Sequence, residues 1–259
     1  MQTAMRVVLL AVALLVAQAV LGSALLANAE GAEASLPLVL LSNLLAACVY
    51  VRLAQRSPGR GGALLLLLLA VAFGLPALNL AEAALFDIGL PRDQLLPLYG
   101  FSFLVAVAAA LAAAALVGKL RGPGEQPLAS VPLTPLRLLA CALAYVAFYF
   151  AAGMLAWPFL RPFYELRAQP PESLVALVQV FRGAALATIA WGIARHETGG
   201  RSAAALSAAL ALSIVGGVAP LLLPNPYLPE AIRHVHLVEV GVSNFLFGVA
   251  AIRLLRPAP

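Results

Sequence analysis

The sequence predicts an all-α membrane protein, a polytopic transmembrane helix bundle that forms one domain over residues 1–259. Composition is the first reason: apolar residues make up 63% of the chain and charged residues only 10%, whereas soluble proteins carry about 25% charged residues. The second reason is spacing. The apolar residues fall in eight runs, and each is long enough to cross about 30 Å of hydrocarbon as a helix of about 20 residues.

The same composition excludes several classes of protein. A secreted disulfide scaffold, a disordered regulator and a soluble nucleic-acid binder would all need far more polar residues. The net charge is +5, but the basic residues lie at the ends of the apolar runs and form no patch that would bind nucleic acid. The expected partner of the chain is therefore the lipid bilayer.

Short segments with helix-breaking residues separate the predicted spans. Examples are Ser57-Pro58-Gly59 after the second span and Pro224-Asn225-Pro226 before the last. No connection is long enough to hold a separate soluble domain. The predicted spans cover residues 5–27, 35–54, 62–86, 97–119, 136–158, 173–194, 202–223 and 229–255.

The first span has two interpretations. Arg6, the apolar run after it and Ala27-Asn28-Ala29 resemble a secretory signal with a cleavage site, and cleavage would leave seven spans. The run from Val7 to Ala27 is, however, longer than the 7–15 apolar residues usual in signal peptides. We therefore expect the first helix to be retained.

Two further features concern packing. The fourth span is mostly alanine between Val105 and Val117, and because small residues let helices approach closely in lipid, this predicts a packed central helix. Cys48 and Cys141 have no C-x-x-C partner. We expect both to be buried, reduced structural thiols.

Lysine and arginine predict the orientation, because they concentrate in cytoplasmic loops. With a cytoplasmic N-terminus, eleven basic residues lie inside and four outside. Both termini are then cytoplasmic. The eleven are Arg6, Arg52, Arg56, Arg60, Lys119, Arg121, Arg137, Arg195, Arg201, Arg253 and Arg256, and the four are Arg92, Arg161, Arg167 and Arg233.

Polar and ionisable side chains at membrane depth are the candidate functional residues, because they are costly there and mark pathways, sites or partners. Arg182 lies about 13 Å into the sixth span. The eighth span carries a polar stripe of Arg233, His236, Glu239, Ser243 and Asn244 within an arc of about 140°. A polar cavity is expected in the outer half of the bundle. The candidate ligand- or ion-binding residues are Arg182, His236, Glu239, Arg233, Glu82, Asn79, Tyr149, Gln179 and Asn244.

Arg182 and Glu239 lie at similar depth and carry opposite charges. An arginine at this depth cannot easily reach either interface, so a counter-charge is the expected remedy. We predict that Arg182 pairs with Glu239, with Glu82 the next partner in order. For Tyr145 and Tyr149, on one face of the fifth span, two roles stay open: hydrogen bonding within the core, or lining a ligand site.

The motifs of common enzymes are missing from the sequence. His236 and Glu239 share a helix face, as in carboxylate-bridged metal bundles, but the second Glu-x-x-His motif is lacking. There is also no nucleophile elbow, phosphate-binding loop or dinucleotide fingerprint. We therefore expect no catalytic residue, metal or cofactor, and the sequence favours a protein that is not an enzyme.

The C-terminal half resembles a family of uncharacterised bacterial multi-pass membrane proteins. The resemblance is carried by LLLPNP at 221–226, by Arg233, His236 and Glu239, and by SNFLFG at 243–248; the run FYFAAGMLAWPFLRPFY at 148–164 is similar too. It implies a bacterial origin, and with it a place in the bacterial inner (cytoplasmic) membrane, but no particular activity.

Two functions follow from these polar and ionisable residues at membrane depth. The first is binding or transport of a small solute, ion or proton through a polar cavity built from spans three, five, six and eight, with His236 and Glu239 handling protons. The second is a non-catalytic structural or accessory subunit whose buried charges only lock the helices together. A water-accessible cavity reaching Arg182 favours the first, and direct, closed pairing of the charges favours the second. An intramembrane enzyme ranks third.

Overall fold

The computed structural model describes residues 2–26, 35–86, 90–122, 124, 131–167 and 169–256. Over these residues the chain folds into eight helices long and apolar enough to cross a membrane, with no β-strand, which confirms the predicted fold class. Residues 27–29, where the alternative cleavage site falls, lie outside this part. The helices are α1 (Gln2–Leu25), α2 (Leu36–Arg56), α3 (Gly62–Leu85), α4 (Arg92–Leu116), α5 (Pro135–Tyr164), α6 (Glu172–His196), α7 (Gly200–Leu222) and α8 (Glu230–Leu255).

Each helix corresponds to one predicted span, and the largest differences lie at helix ends that contain proline. Helix α4 begins at Arg92 rather than at residue 97, and α5 continues to Tyr164 rather than ending at residue 158. Both helices carry proline internally, at Pro97 and Pro158. Proline was taken as a boundary, but membrane helices tolerate it because neighbouring groups satisfy the backbone.

The helices run alternately up and down, so that one end of the bundle gathers the start of α1 and the end of α8. We call this the terminal end, the opposite one the far end, and the half of the bundle toward it the far half. At the terminal end, five hydrogen bonds join the ends of the helices. They are Gln55 Nε2 to Thr3 Oγ1 at 3.1 Å, Gly61 N to Lys119 O at 3.0 Å, Ser57 Oγ to His196 Nδ1 at 2.7 Å, Arg137 Nη1 to Leu255 O at 3.2 Å and Arg201 Nη2 to Arg253 O at 3.2 Å.

Helix α7, not α4, is the central helix. In the most apolar stretch of each, 56% of the α7 residues are buried against 17% for α4. The expectation of a central alanine-rich helix is therefore wrong, although Ala106, Ala109 and Ala113 are buried and α4 packs against α1 and α3. Alanine permits close approach on one face without requiring burial on every face.

Helix α7 changes its winding partway along its length. Residues Ala211–Val218 form a π-helix between two α-helical parts, a distortion often found at functional sites. Side chains of neighbouring helices donate to carbonyls in and beside this segment: Asn79 of α3 to Gly216 O at 3.0 Å, Asn244 of α8 to Leu212 O at 3.3 Å and Ser42 of α2 to Ala219 O at 2.8 Å. The segment thus ties α7 to three other helices.

The two cysteines differ in their environment. Cys141 is buried on α5, as expected, but Cys48 is exposed on α2. The prediction for Cys48 is wrong because a free thiol behaves as a small apolar group and is tolerated against lipid as well as in the core. Burial inside the bundle therefore does not follow from its position in a span.

Candidate binding site in the far half

Arg182 of α6 is held by two side chains of α3. Its guanidinium forms an ion pair with Glu82, and Nη2 donates to Asn79 Oδ1 at 2.7 Å. Gln179, one turn earlier on α6, donates to Glu82 Oε1 at 2.8 Å. Arg182 is 7% exposed and Gln179 fully buried. We call Asn79, Glu82, Gln179 and Arg182 the Arg182 network; through the bond from Asn79 to Gly216 it also reaches the π-helical segment of α7.

The predicted pairing of Arg182 with Glu239 is therefore wrong in its first choice, and the second choice, Glu82, is the partner. Similar depth along two helices does not say which way each helix face turns. Glu239 instead contacts a residue of its own helix: its Oε2 lies 2.7 Å from His236 Nδ1. A partner three residues away on the same helix needs no alignment between helices.

His236 joins Glu239 to Tyr164 in a hydrogen-bonded chain. The Tyr164 hydroxyl lies 2.9 Å from His236 Nε2, on the opposite side of the imidazole from Glu239. His236 and Glu239 side chains are 17% and 13% exposed. Tyr164 is the last residue of α5, so this Tyr164 chain begins at the far end. Glu239, nine residues after the start of α8, lies about 13 Å along that helix.

Tyr145 and Tyr149 lie between the Arg182 network and Glu239. The Arg182 guanidinium carbon is 5.9 Å from the Tyr145 ring centroid, and the rings of Tyr145 and Tyr149 are 6.3 Å apart. A Cβ added at Gly153, one turn after Tyr149 on α5, would lie 3.8 Å from Glu239 Oε1. Neither hydroxyl hydrogen-bonds to any residue that the structure describes, so of the two roles left open by the sequence the core hydrogen bond is not observed.

Three buried polar atoms in this region have no hydrogen-bond partner among the described residues: Gln179 Oε1, Arg182 Nε and Arg233 Nε. Arg233, on the first turn of α8, is 6% exposed. Buried donors and acceptors are normally satisfied by protein or water. One orphaned acceptor, on Gln179, and one orphaned donor, on Arg182, therefore lie within the same network.

The remaining candidate, Asn244, lies apart from these clusters. It is 3% exposed and its amide donates to Leu212 O of α7. Its role is to tie α8 to the π-helical segment. Position on the polar stripe of α8 predicted its burial but not its partner.

A second polar cluster, at the terminal end, was not predicted as a cluster. Glu197, 2% exposed, accepts from the Ser207 hydroxyl at 2.7 Å, and Arg52 Nε donates to that hydroxyl at 3.0 Å. Lys119 donates to three carbonyls at the end of α2, the shortest to Ser57 O at 2.5 Å. Burial lowers the pKa of Lys119, and the charge of Arg60 lowers it further.

In the sequence, the basic residues of this cluster were used only to predict the orientation of the chain in the membrane. One signal was available: Glu197 stands between His196 and Arg201 in a loop otherwise rich in basic residues. An isolated carboxylate in such a loop is a candidate ion-pair partner, and Arg56 lies 4.0 Å from it. Glu197, just after α6, contacts side chains of α2 and α7, and Lys119, just after α4, contacts carbonyls at the end of α2. The cluster therefore joins the terminal ends of α2, α4, α6 and α7.

No group of three or more histidine, cysteine, aspartate or glutamate side chains within the described ranges is placed to hold a metal ion. No family model, curated protein or solved structure matches the chain. The fold and its buried charges define a multi-pass integral membrane protein.

Proposed function

We propose that the protein binds or transports a small solute, ion or proton in the far half of the bundle, with His236 and Glu239 as its proton-handling groups. The observation that carries the proposal is the hydrogen-bonded chain Tyr164–His236–Glu239. It starts at an end of the bundle and leads to an ionisable carboxylate at membrane depth, where such groups mark ion and proton pathways.

The chemistry of the Tyr164 chain suits proton transfer. With Glu239 ionised and His236 neutral, Nδ1–H donates to the carboxylate and Nε2 accepts from the Tyr164 hydroxyl. Tyr164 passes its hydroxyl proton to Nε2 and regains one from solvent at the far end, while the Nδ1 proton passes to Glu239. The net result is one proton moved inward without movement of a heavy atom. Histidine is the side chain best fitted to this step because its unperturbed pKa lies near physiological pH.

Tyr145 and Tyr149 supply the adjoining wall of this site. Their hydroxyls hydrogen-bond to no residue that the structure describes. With the orphaned Nε of Arg182 and Oε1 of Gln179, they offer a small polar solute donors and acceptors on two sides. Arg182 itself, neutralised by Glu82, contributes a fixed dipole rather than a free positive charge.

The test is proton movement by the full chain reconstituted in liposomes that contain a pH-sensitive dye. After an external pH step, vesicles with the wild-type protein should equilibrate faster than protein-free vesicles, and Glu239→Gln should slow them to the protein-free rate. Glu165→Gln is the matched control, because Glu165 is half exposed and pairs with Arg161 at the surface. It should keep the wild-type rate.

A structural or accessory role is the second candidate, and the closed pairing in the Arg182 network favours it. Arg182 is bonded directly to Glu82 and Asn79 and is nearly inaccessible. Wild-type vesicles that equilibrate no faster than protein-free ones would reject proton transport and support this role. Equal rates for wild type and Glu239→Gln, both above the protein-free rate, would reject the assignment of Glu239.

A further inference from the structure

A groove lies between α7 and α8 at the terminal end, at the opposite end of the bundle from Tyr164 and His236. Its volume is about 410 Å³. Two arginines line the mouth of the groove at the terminal end: Arg201 from the first turn of α7 and Arg253 from the last turn of α8. Deeper in the bundle its walls are apolar: Ala205 and Leu206 on α7, and Phe245 and Val249 on α8.

The mouth of this α7–α8 groove carries positive charge from its two arginines. Arg201 Nη2 donates to the Arg253 carbonyl at 3.2 Å, which fixes the guanidinium beside α8. Arg201 Nε is buried and has no partner in the described part of the chain, and the same is true of Arg256 Nη1 on the next turn. No ion pair found among the described residues involves these arginines. The groove mouth is therefore suited to an anion.

The apolar walls identify the kind of anion. From Arg253 to Phe245 the groove follows α8 for about 12 Å toward the middle of the membrane. Leu206 is 42% exposed there, which leaves an open apolar strip continuous with the charged mouth. A free phosphate would contact the arginines only, whereas a phospholipid would place its phosphate at the arginines and an acyl chain along the strip.

We propose that the α7–α8 groove is a binding site for an anionic phospholipid, with the headgroup at Arg201 and Arg253 and one acyl chain against Phe245 and Val249. Basic pockets between membrane helices commonly bind anionic headgroups. This site is independent of the proposed proton pathway, because it shares no residue with it and lies at the other end of the bundle.

The test uses the purified full chain in detergent, titrated with phosphatidylglycerol or phosphatidylcholine and read by native mass spectrometry. Wild type should retain phosphatidylglycerol in preference to phosphatidylcholine. The double variant Arg201→Gln with Arg253→Gln should weaken phosphatidylglycerol binding about tenfold or more. The matched control is Arg60→Gln with Arg121→Gln, which removes the same charge from exposed residues at the same end and should bind as wild type does. Equal weakening in both double variants would overturn the proposal.

Two further arms separate lipid from free anion and cover a variant that does not fold. Phe245→Ala should weaken lipid binding, and inorganic phosphate alone should not raise the melting temperature of the wild-type protein. If phosphate raises that melting temperature and Phe245→Ala binds lipid as wild type does, the groove is a free-anion site and the proposal is overturned. If the double arginine variant aggregates, Phe245→Trp serves as a reporter in the groove. Brominated phosphatidylglycerol should quench its fluorescence more than brominated phosphatidylcholine does, and equal quenching would overturn the proposal.

Discussion

Arg182 and Glu82 depend on each other, because each is the charge that makes the other tolerable inside the bundle. Breaking a buried pair by removing one partner typically costs about 3–5 kcal/mol, and removing both costs less because no lone charge is left. Glu82 is 20% exposed on its side chain, so we place the expected loss at the lower end of that range.

We therefore predict that Arg182→Ala and Glu82→Ala each lower the free energy of unfolding in detergent, and that the double variant recovers part of the loss. Thermal or denaturant unfolding of the four proteins, including wild type, measures this. As a control, Arg161→Ala with Glu165→Ala should leave stability unchanged, since both side chains are more than half exposed and surface pairs contribute little.

A double variant of Arg182 and Glu239 tests whether Glu239, rather than Glu82, is the partner of Arg182. Because its carboxylate is engaged by His236, Glu239→Ala should not relieve the effect of Arg182→Ala, and the two losses should add. Recovery in the Arg182–Glu239 double variant, with none in the Arg182–Glu82 double variant, would contradict the assignment made from the structure.

At the scale of the helices, α7 and α8 pack so closely that their contact admits no side chain at Gly248. A Cβ added there would lie 2.5 Å from Ala209 Cα and 2.7 Å from Ala209 N. Both are backbone atoms, so a rotamer change cannot remove the clash and the helices must separate. Such close backbone approach at small residues is how membrane helices gain packing energy.

Gly248→Ala should therefore lower the free energy of unfolding by about 1–3 kcal/mol, the usual cost of overpacking. Gly100→Ala is the matched control: it lies in α4, and a Cβ there would meet nothing within 4 Å. It should leave stability unchanged or raise it slightly, because alanine favours helix over glycine. A Gly248→Ala protein as stable as wild type would show that α7 and α8 are not in contact at Ala209.

For the whole molecule, the sequence was sufficient for the fold class because one physical requirement dominates. Each helix needs about 20 apolar residues to cross the hydrocarbon, so every span could be recognised from its own residues. The errors arose at Pro97 and Pro158, which lie inside helices rather than at their ends, and at α7, whose central place depends on its neighbours and not on its composition.

The candidate site was predictable in its members but not in its pairings. Arg182, Gln179 and Glu82 were recognisable because charges and amides are rare at membrane depth. Their pairing required the rotation of α6 relative to α3, which nothing within either helix determines. The π-helical segment of α7 was not predicted, since Ala211–Val218 has no residue pattern that separates it from an ordinary apolar helix.

The distribution of basic residues over the two ends of the bundle determines how the molecule should sit in its membrane. The eleven basic residues assigned to one side by the sequence all lie at or near helix ends that meet at the terminal end, against four at the far end. Because such a bias sets orientation during insertion, we predict that both termini are cytoplasmic. A reporter active only in the periplasm should be inactive when fused after Pro259, and a reporter active only in the cytoplasm should be active there. The periplasmic reporter inserted between Gln169 and Pro170, in the far-end connection of α5 and α6, is the positive control. Periplasmic activity at Pro259 with loss of activity at the α5–α6 connection would reverse the orientation.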